Sequence, residues 1–316
     1  MDRAAFLTAL AASVTTPPPG LIDGPAPDVT PRGRKPDGAL AEHPPFAAQE
    51  RRGRGRLGVA AIDLRDGRRI EQRGDERFPL ASTFKLPLVM AVLSRVDRAT
   101  ERLDRAIAFK AGDLVPYSPV AGQQPHGGHL TVAELCAAAI EVSDNTAANL
   151  LLRTVGGPAG VTAYVRGLGD RVTRLDRTEP ALNESIPGDV RDTTTPHAMA
   201  TLVTRLVRDP VLSPSSKAHV FNWLRRSKTG TTRIRAGVPS GWTVGDKTGT
   251  TNTSGNDVAI LWPRNGASRE GHADAPIVLA VYFAEVKAPD GERDAAIADM
   301  GRSIVRRFRA YGDVRV

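Results

Sequence analysis

Apolar positions follow two patterns along the chain. Near both ends they form short extended runs: Arg56–Asp63 (RLGVAAID) and Arg69–Arg73 early, then Trp242–Thr250, Asp257–Trp262 and Ile277–Ala284 late. The turn residues Arg65-Asp66-Gly67 join the first two into a hairpin. Between the ends the spacing is helical, over Ser82–Val96, Thr131–Glu141, Thr146–Val155, Gly160–Arg166, Thr195–Val207 and Ser215–Arg226, and a last helix covers Arg293–Ala310. The 131–141 segment carries the fullest signal. Val132, Leu135, Cys136, Ala139 and Ile140 share one face, with Thr131 as N-cap and Glu134 completing a capping box. Strands at both ends with helices between predict a mixed α/β (α+β) fold. One antiparallel sheet is built from both termini and flanked by helices, and an all-helical domain is inserted in the middle.

Residues 1–16 (MDRAAFLTALAASVTT) read as an export signal, with Arg3 ahead of an apolar stretch. Phe6 and Leu7 fit a twin-arginine signal, but Ala4 stands where its second arginine belongs, so the Sec and twin-arginine routes both stay open. No cysteine lies near the N-terminus, which argues against a lipid anchor. Residues 17–48, rich in Pro, Gly and Ala, read as a linker. The folded domain is then 49–316, with order beginning near Phe46–Glu50. Its α/β part covers about 49–78 and 223–316, and its helical part about 79–222.

Composition removes several function classes. With 41% hydrophobic and 25% charged residues, the 316-residue chain is not disordered throughout. It lacks the apolar run of about 18 residues that stable membrane insertion needs. The net charge of +8 permits nucleic-acid binding. However, the basic residues are interspersed with Asp and Glu, and their densest cluster (Arg51, Arg52, Arg54, Arg56) abuts a strand-like run. With no nucleic-acid-reading motif present, a solvated surface is the better reading. A single cysteine, Cys136, allows neither an internal disulfide nor a cysteine-based zinc site, and His126 and His129 lie in a Gly/Pro-rich loop without an acidic ligand. No metal or cofactor is expected.

The chemistry concentrates on serine and lysine. Of seven lysines, only Lys85 has a serine three residues before it, in Ala81-Ser82-Thr83-Phe84-Lys85. On a helix these two share a face, so hydroxyl and amine can meet, and a helix N-terminus offers free N–H groups to an oxyanion. Ser143-Asp144-Asn145 falls in a predicted inter-helix loop, and Lys247-Thr248-Gly249-Thr250 closes a predicted strand. Lys228-Thr229-Gly230-Thr231 repeats the second string. There, after a helical run, the glycine reads as a C-cap, so function is assigned to Lys247. In Thr178–Asn183, Glu179 and Asn183 place a carboxylate and an amide four residues apart, a pair able to bind and activate water.

The S-x-x-K, S-D-N and K-T-G trio is shared by class A β-lactamases and penicillin-binding proteins. With the Glu179–Asn183 segment, in this order, the chain from about residue 49 onward resembles the class A serine β-lactamases. The resemblance implies an active site between the sheet and the helical part, acting on penicillins and cephalosporins as a monomer. Ser82 would be acylated with Lys85 as its proton partner, and Ser143 would pass a proton to the departing nitrogen. Asn145 would contact the substrate amide. Glu179 with Asn183 would hold the deacylating water. Either Lys85 or Glu179 would take the Ser82 proton. The N–H groups of Ser82 and Thr250 would form the oxyanion hole, with Gly249 between them and Thr248 on the same strand. Lys247, Thr248 and Arg233 would bind the substrate carboxylate. Tyr117 would sit at the cleft rim, and Arg177 with Asp192 would clamp the Glu179 loop. The partner of a disulfide that some members form with the Cys136 position is Val89 here, so Cys136 is expected as a buried free thiol. Two alternatives share the fold: a penicillin-binding DD-peptidase or transpeptidase, and a non-catalytic β-lactam- or peptidoglycan-binding protein. The Glu179–Asn183 segment argues against the first. Intact Ser82, Lys85 and Glu179 argue against the second.

Overall fold

The computed structural model describes residues 46–263 and 275–310, so the expected export signal and nearly all of the expected linker lie outside the described residues. The fold begins slightly before residue 49: Phe46 is buried, and helix α1 (Ala47–Gly53) precedes the first strand. Strands β1 (Arg56–Asp63) and β2 (Arg69–Gln72) form the predicted hairpin, with Gly67 at φ +80° in its turn. Near the other end, β7 (Thr243–Thr250), β8 (Gly255–Trp262) and β9 (Ile277–Ala284) follow, then the long helix α9 (Asp290–Ala310). The five strands make one antiparallel sheet in the order β2-β1-β9-β8-β7, so strands from both termini meet at β1–β9.

Both faces of this sheet are covered, which is why its strands read as continuous apolar blocks. Along β9, Val278, Ala280 and Tyr282 enter one core, and Ile277, Leu279, Val281 and Phe283 enter the other. The second core is closed by α1, α9 and the short helix α8 (Ile234–Gly237). Gly237 lets α8 approach α9 closely, since a Cβ there would lie 1.7 Å from the Ala298 carbonyl oxygen.

The inserted part holds α2 (Lys85–Asp97), α3 (Val132–Glu141), α4 (Asn145–Thr154), α5 (Gly157–Gly167), α6 (Pro196–Arg208) and α7 (Pro214–Arg225). The α3 capping box is present: Glu134 N–H donates to Thr131 Oγ1 at 3.2 Å, and Thr131 N–H to Glu134 Oε2 at 2.7 Å. Such a cap contributes about 1 kcal/mol. Cys136 is fully buried as a free thiol, and burial pushes its pKa up, so no reactive thiolate is presented. The insert is not purely helical. Two ribbons, β4 (Ala106–Lys110) with β5 (Gly127–Thr131) and β3 (Phe78–Pro79) with β6 (Thr193–Thr194), lie within or beside it. Both are short and half-exposed or very brief, so they give little apolar periodicity.

Candidate active site

The predicted helix Ser82–Val96 starts later than its sequence suggests. Ala81–Phe84 form a 3-10 turn, and the α-helix begins at Lys85. Thr83 fixes that turn: its hydroxyl donates to the Leu80 carbonyl at 2.6 Å and meets the Tyr282 hydroxyl at 3.1 Å. Ser82 Oγ makes a long hydrogen bond to Glu179 Oε1 at 3.4 Å, and Lys85 Nζ reaches the same oxygen at 3.2 Å. The two predicted partners thus converge on Glu179.

Ser143-Asp144-Asn145 is also more ordered than a loop. Asp144 is the N-cap of α4, accepting from Ala147 N–H at 2.8 Å, and Asn145 opens the helix. Ser143 sits at φ +60°. Lys85 Nζ donates to the Ser143 carbonyl at 2.7 Å and to Asn145 Oδ1 at 2.6 Å, and lies 3.3 Å from Ser143 Oγ. Lys247 Nζ approaches the same Ser143 hydroxyl at 3.0 Å. Ser143 Oγ therefore bridges two fully buried amines. Burial lowers the Lys85 pKa, opposed by the charge and hydrogen bond of Glu179. Burial and then the Lys85 charge take Lys247 well below its usual range, against the pull of Asp246 and Glu179.

Glu179 is buried on a loop held at several points. Its backbone N–H donates to Asn149 Oδ1 at 3.0 Å, and Asn149 Nδ2 donates to its carbonyl at 2.9 Å. Asn183 Nδ2 donates to Glu179 Oε2 at 2.5 Å. Across the loop base, Arg177 Nε pairs with the buried Asp192 at 2.6 Å, and Asp192 also accepts the N–H groups of Asp176 and Arg177. Removing one member of a buried pair of this kind costs about 3–5 kcal/mol.

Strand β7 forms the other wall. Gly249 is needed there: a Cβ would lie 2.9 Å from the Leu80 carbonyl oxygen and 3.2 Å from Ser82 N. Asp246, Thr248 and Thr250 each contact the connection between α7 and α8, through Ser227, Thr229 and Arg233. That connection holds the repeated K-T-G string, and Gly230 is not the predicted helix cap, because α7 ends at Arg225 with Arg226 as its cap. Gly230 lies against Asp246, where a Cβ would stand 1.9 Å from Oδ2. Thr229 Oγ1 meets Thr248 Oγ1 at 2.6 Å. Arg233 is only 4% exposed. Its Nη1 donates to the carbonyls of Gly249 and Asn256, its Nη2 to Thr250 Oγ1 at 2.8 Å, and its Nε to Asp294. Arg233, expected to bind the substrate carboxylate, is therefore held against Thr250 at the end of β7. Tyr117 is 60% exposed, and its carbonyl accepts the Asn145 N–H at 3.0 Å. A cleft of about 670 Å³ opens between Asn183 and Thr250.

Two residues close to this geometry were missed in the sequence. Asn149 lies one helical turn after Asn145 on α4, a spacing that places both on one face, but a lone helical asparagine gives no further signal. Thr229 was set aside with its repeat, since only the tertiary fold brings the two K-T-G threonines together.

The model of the Beta-lactamase enzyme family matches residues 46–308. Two reconstructed class A β-lactamases are similar in structure. That of the last common ancestor of Gram-negative bacteria shares 53% identity, covering 83% of this chain and 97% of its own, with a TM-score of 0.79. A second ancestral class A enzyme shares 54% over 83% and 98%, also at 0.79. The chain belongs to the class A β-lactamases. A putative class A β-lactamase of Rhodopseudomonas palustris is 47% identical, covering 83% of this chain and 99% of its own at a TM-score of 0.78. As a class A β-lactamase the protein is a serine enzyme that hydrolyses β-lactams. Among the described residues, no helix is long and apolar enough to cross a membrane.

Proposed function

We propose that the enzyme opens penicillins and cephalosporins through an acyl-enzyme on Ser82. Ser82 Oγ attacks the lactam carbonyl carbon while its proton passes to Lys85 or Glu179. The C–N bond breaks, and the departing nitrogen takes a proton from Ser143 Oγ; Lys85 resupplies that proton and, where Glu179 took the Ser82 proton, receives it from Glu179, which is then a carboxylate again. Glu179 then takes a proton from a water held with Asn183. That water attacks the ester, and Ser82 Oγ leaves and regains its proton. The N–H groups of Ser82 and Thr250 receive the oxyanion, and Asn145 receives the substrate amide. Lys247 and Thr248 bind the substrate carboxylate, with Tyr117 at the rim and Arg177–Asp192 keeping the Glu179 loop in place. The single observation that carries this reading is Glu179: one carboxylate reaches Ser82 and Lys85 with one oxygen and Asn183 with the other. A transpeptidase, which holds its acyl group for a second substrate, has no use for a water-activating base at this place. The apolar stretch behind Arg3 in residues 1–16 supports export from the cytoplasm, and the partners in this reading are small β-lactams. Nitrocefin tests the reading: many turnovers per molecule support it, whereas a single burst or no colour change overturns it.

Arg233 acts in this scheme by orienting Thr250 beside the substrate carboxylate. Arg233→Ala is expected to raise KM more than it lowers kcat, by about tenfold, the loss of one charge-assisted hydrogen bond. Unchanged steady-state kinetics for penicillin and cephalosporin would remove Arg233 from the site.

A further inference from the structure

Asp257 lies on β8 directly across from Thr248 on β7. It is fully buried, and the mechanism above does not use it. Its Oδ2 accepts the Ile234 N–H at 3.0 Å, and its Oδ1 is buried without a hydrogen-bond partner among the described residues. The surrounding cations are engaged elsewhere. From the α7–α8 connection and α8, Arg233 is held by Thr250, two carbonyls and Asp294, and Arg235 pairs with Asp246. From β7 come the like-charged Asp246 and, on the opposite face, Lys247. From α9, Asp294 faces Arg233 and Arg293. On β9 the cross-strand neighbour is the neutral Val281. A carboxylate with one orphaned oxygen beside a second carboxylate would be far costlier here than a neutral acid.

We propose that Asp257 is a positioning residue for the reaction: as a neutral carboxylic acid it anchors the Ile234 N–H. It thereby holds the 229–234 segment, which presents Thr229 to Thr248 and Arg233 to Thr250. This rests on Thr248 and Thr250 receiving the substrate, as proposed above. Burial, then the Asp246 charge, keep the Asp257 carboxyl well above the usual carboxylate range, outweighing Arg233, the Ile234 N–H and Arg235. Asp246, paired with Arg235 and Ser227, carries the negative charge of the two.

The sign of the stability effect follows. Between the ordinary aspartate pKa and the raised folded value, the folded state binds one more proton than the unfolded chain, so stability falls as pH rises through that window. Asp257→Asn keeps the acceptor and the shape and has nothing to ionise. Its Tm should therefore match the wild type near pH 4 and exceed it increasingly up to pH 8.

Three measurements on the full chain test the proposal. The Asp257 carboxyl carbon resonance, assigned by comparison with Asp257→Asn, is expected to show the protonated form at pH 7. Asp257→Ala is expected to raise the KM for benzylpenicillin about tenfold, with kcat within about threefold, and to speed hydrogen exchange at the Ile234 amide. Asp257→Asn is expected to restore both. An ionised carboxyl at pH 7, or a Tm for Asp257→Asn that falls below wild type at pH 8, overturns the neutral acid. An Asp257→Ala variant that lowers Tm without changing KM overturns the positioning role. If this variant does not fold, failure of Asp257→Asn to keep wild-type exchange at Ile234 does the same. The carboxyl resonance, melting and exchange readouts need no substrate, so they stand or fall apart from the assigned substrate site.

Discussion

Glu179→Ala mixed with a penicillin should accumulate one covalent adduct per molecule, visible by intact mass and mapping to Ser82, while multiple turnover falls by about 10²–10⁴. The geometry accounts for the stall. Asn183 holds one Glu179 oxygen, so the pair can fix and deprotonate a water, and among the described residues no other carboxylate hydrogen-bonds Asn183. It also accounts for continued acylation. Glu179 supplies both the charge and the hydrogen bond that oppose the burial-induced fall in the Lys85 pKa. Losing them drives the amine further toward the neutral form that a base needs, while its contacts to Ser143 and Asn145 remain. Ser82→Ala should show no adduct. Near wild-type turnover by Glu179→Ala would remove this loop from catalysis. Absence of both turnover and adduct would assign the first proton transfer to Glu179, in keeping with its 3.4 Å approach to Ser82 Oγ.

Lys85→Met probes the other candidate for that proton. Its single-turnover acylation is expected to be slower by about 10²–10⁴, with no adduct accumulating in the time that Glu179→Ala becomes fully labelled. The substitution also removes a buried cation from Glu179, Asn145 and the Ser143 carbonyl, at a cost of about 3–5 kcal/mol. A melting curve must therefore accompany the kinetics, and the rate is read below the lowered Tm. Acylation at the wild-type rate would make Glu179 sufficient as the base for the first step. Slow acylation in both variants would mean that the two residues act as one proton-transfer unit through the oxygen they share.

The outer form of the protein was legible in the sequence because the sheet is buried on both faces. Apolar blocks such as Ile277–Ala284 announce their strands, and the Thr131–Glu134 box announces α3, since both signals are local. The proposed nucleophile Ser82, the two lysines and the Glu179–Asn183 pair were legible as short motifs, where chemistry demands fixed residue types at fixed spacing. The β4–β5 and β3–β6 ribbons were not, because too few of their side chains are buried to set a period.

Only the tertiary structure decided how the motifs meet. Helical spacing brought Ser82 toward Lys85, but Thr83, tied to Leu80 and Tyr282, tightened that turn and left both facing Glu179, about a hundred positions away in the chain. The first K-T-G string looked like a helix end by local rules, yet sheet packing laid it against the second, where Thr229 meets Thr248 and Gly230 meets Asp246. Arg233 was read as free to bind substrate. Its burial brought four of its five N–H groups to internal partners, because an arginine this enclosed satisfies most of its donors within the protein. Residue types and spacing along the chain determined which groups could react. Which of them touch depends on contacts between distant segments, which local sequence does not encode.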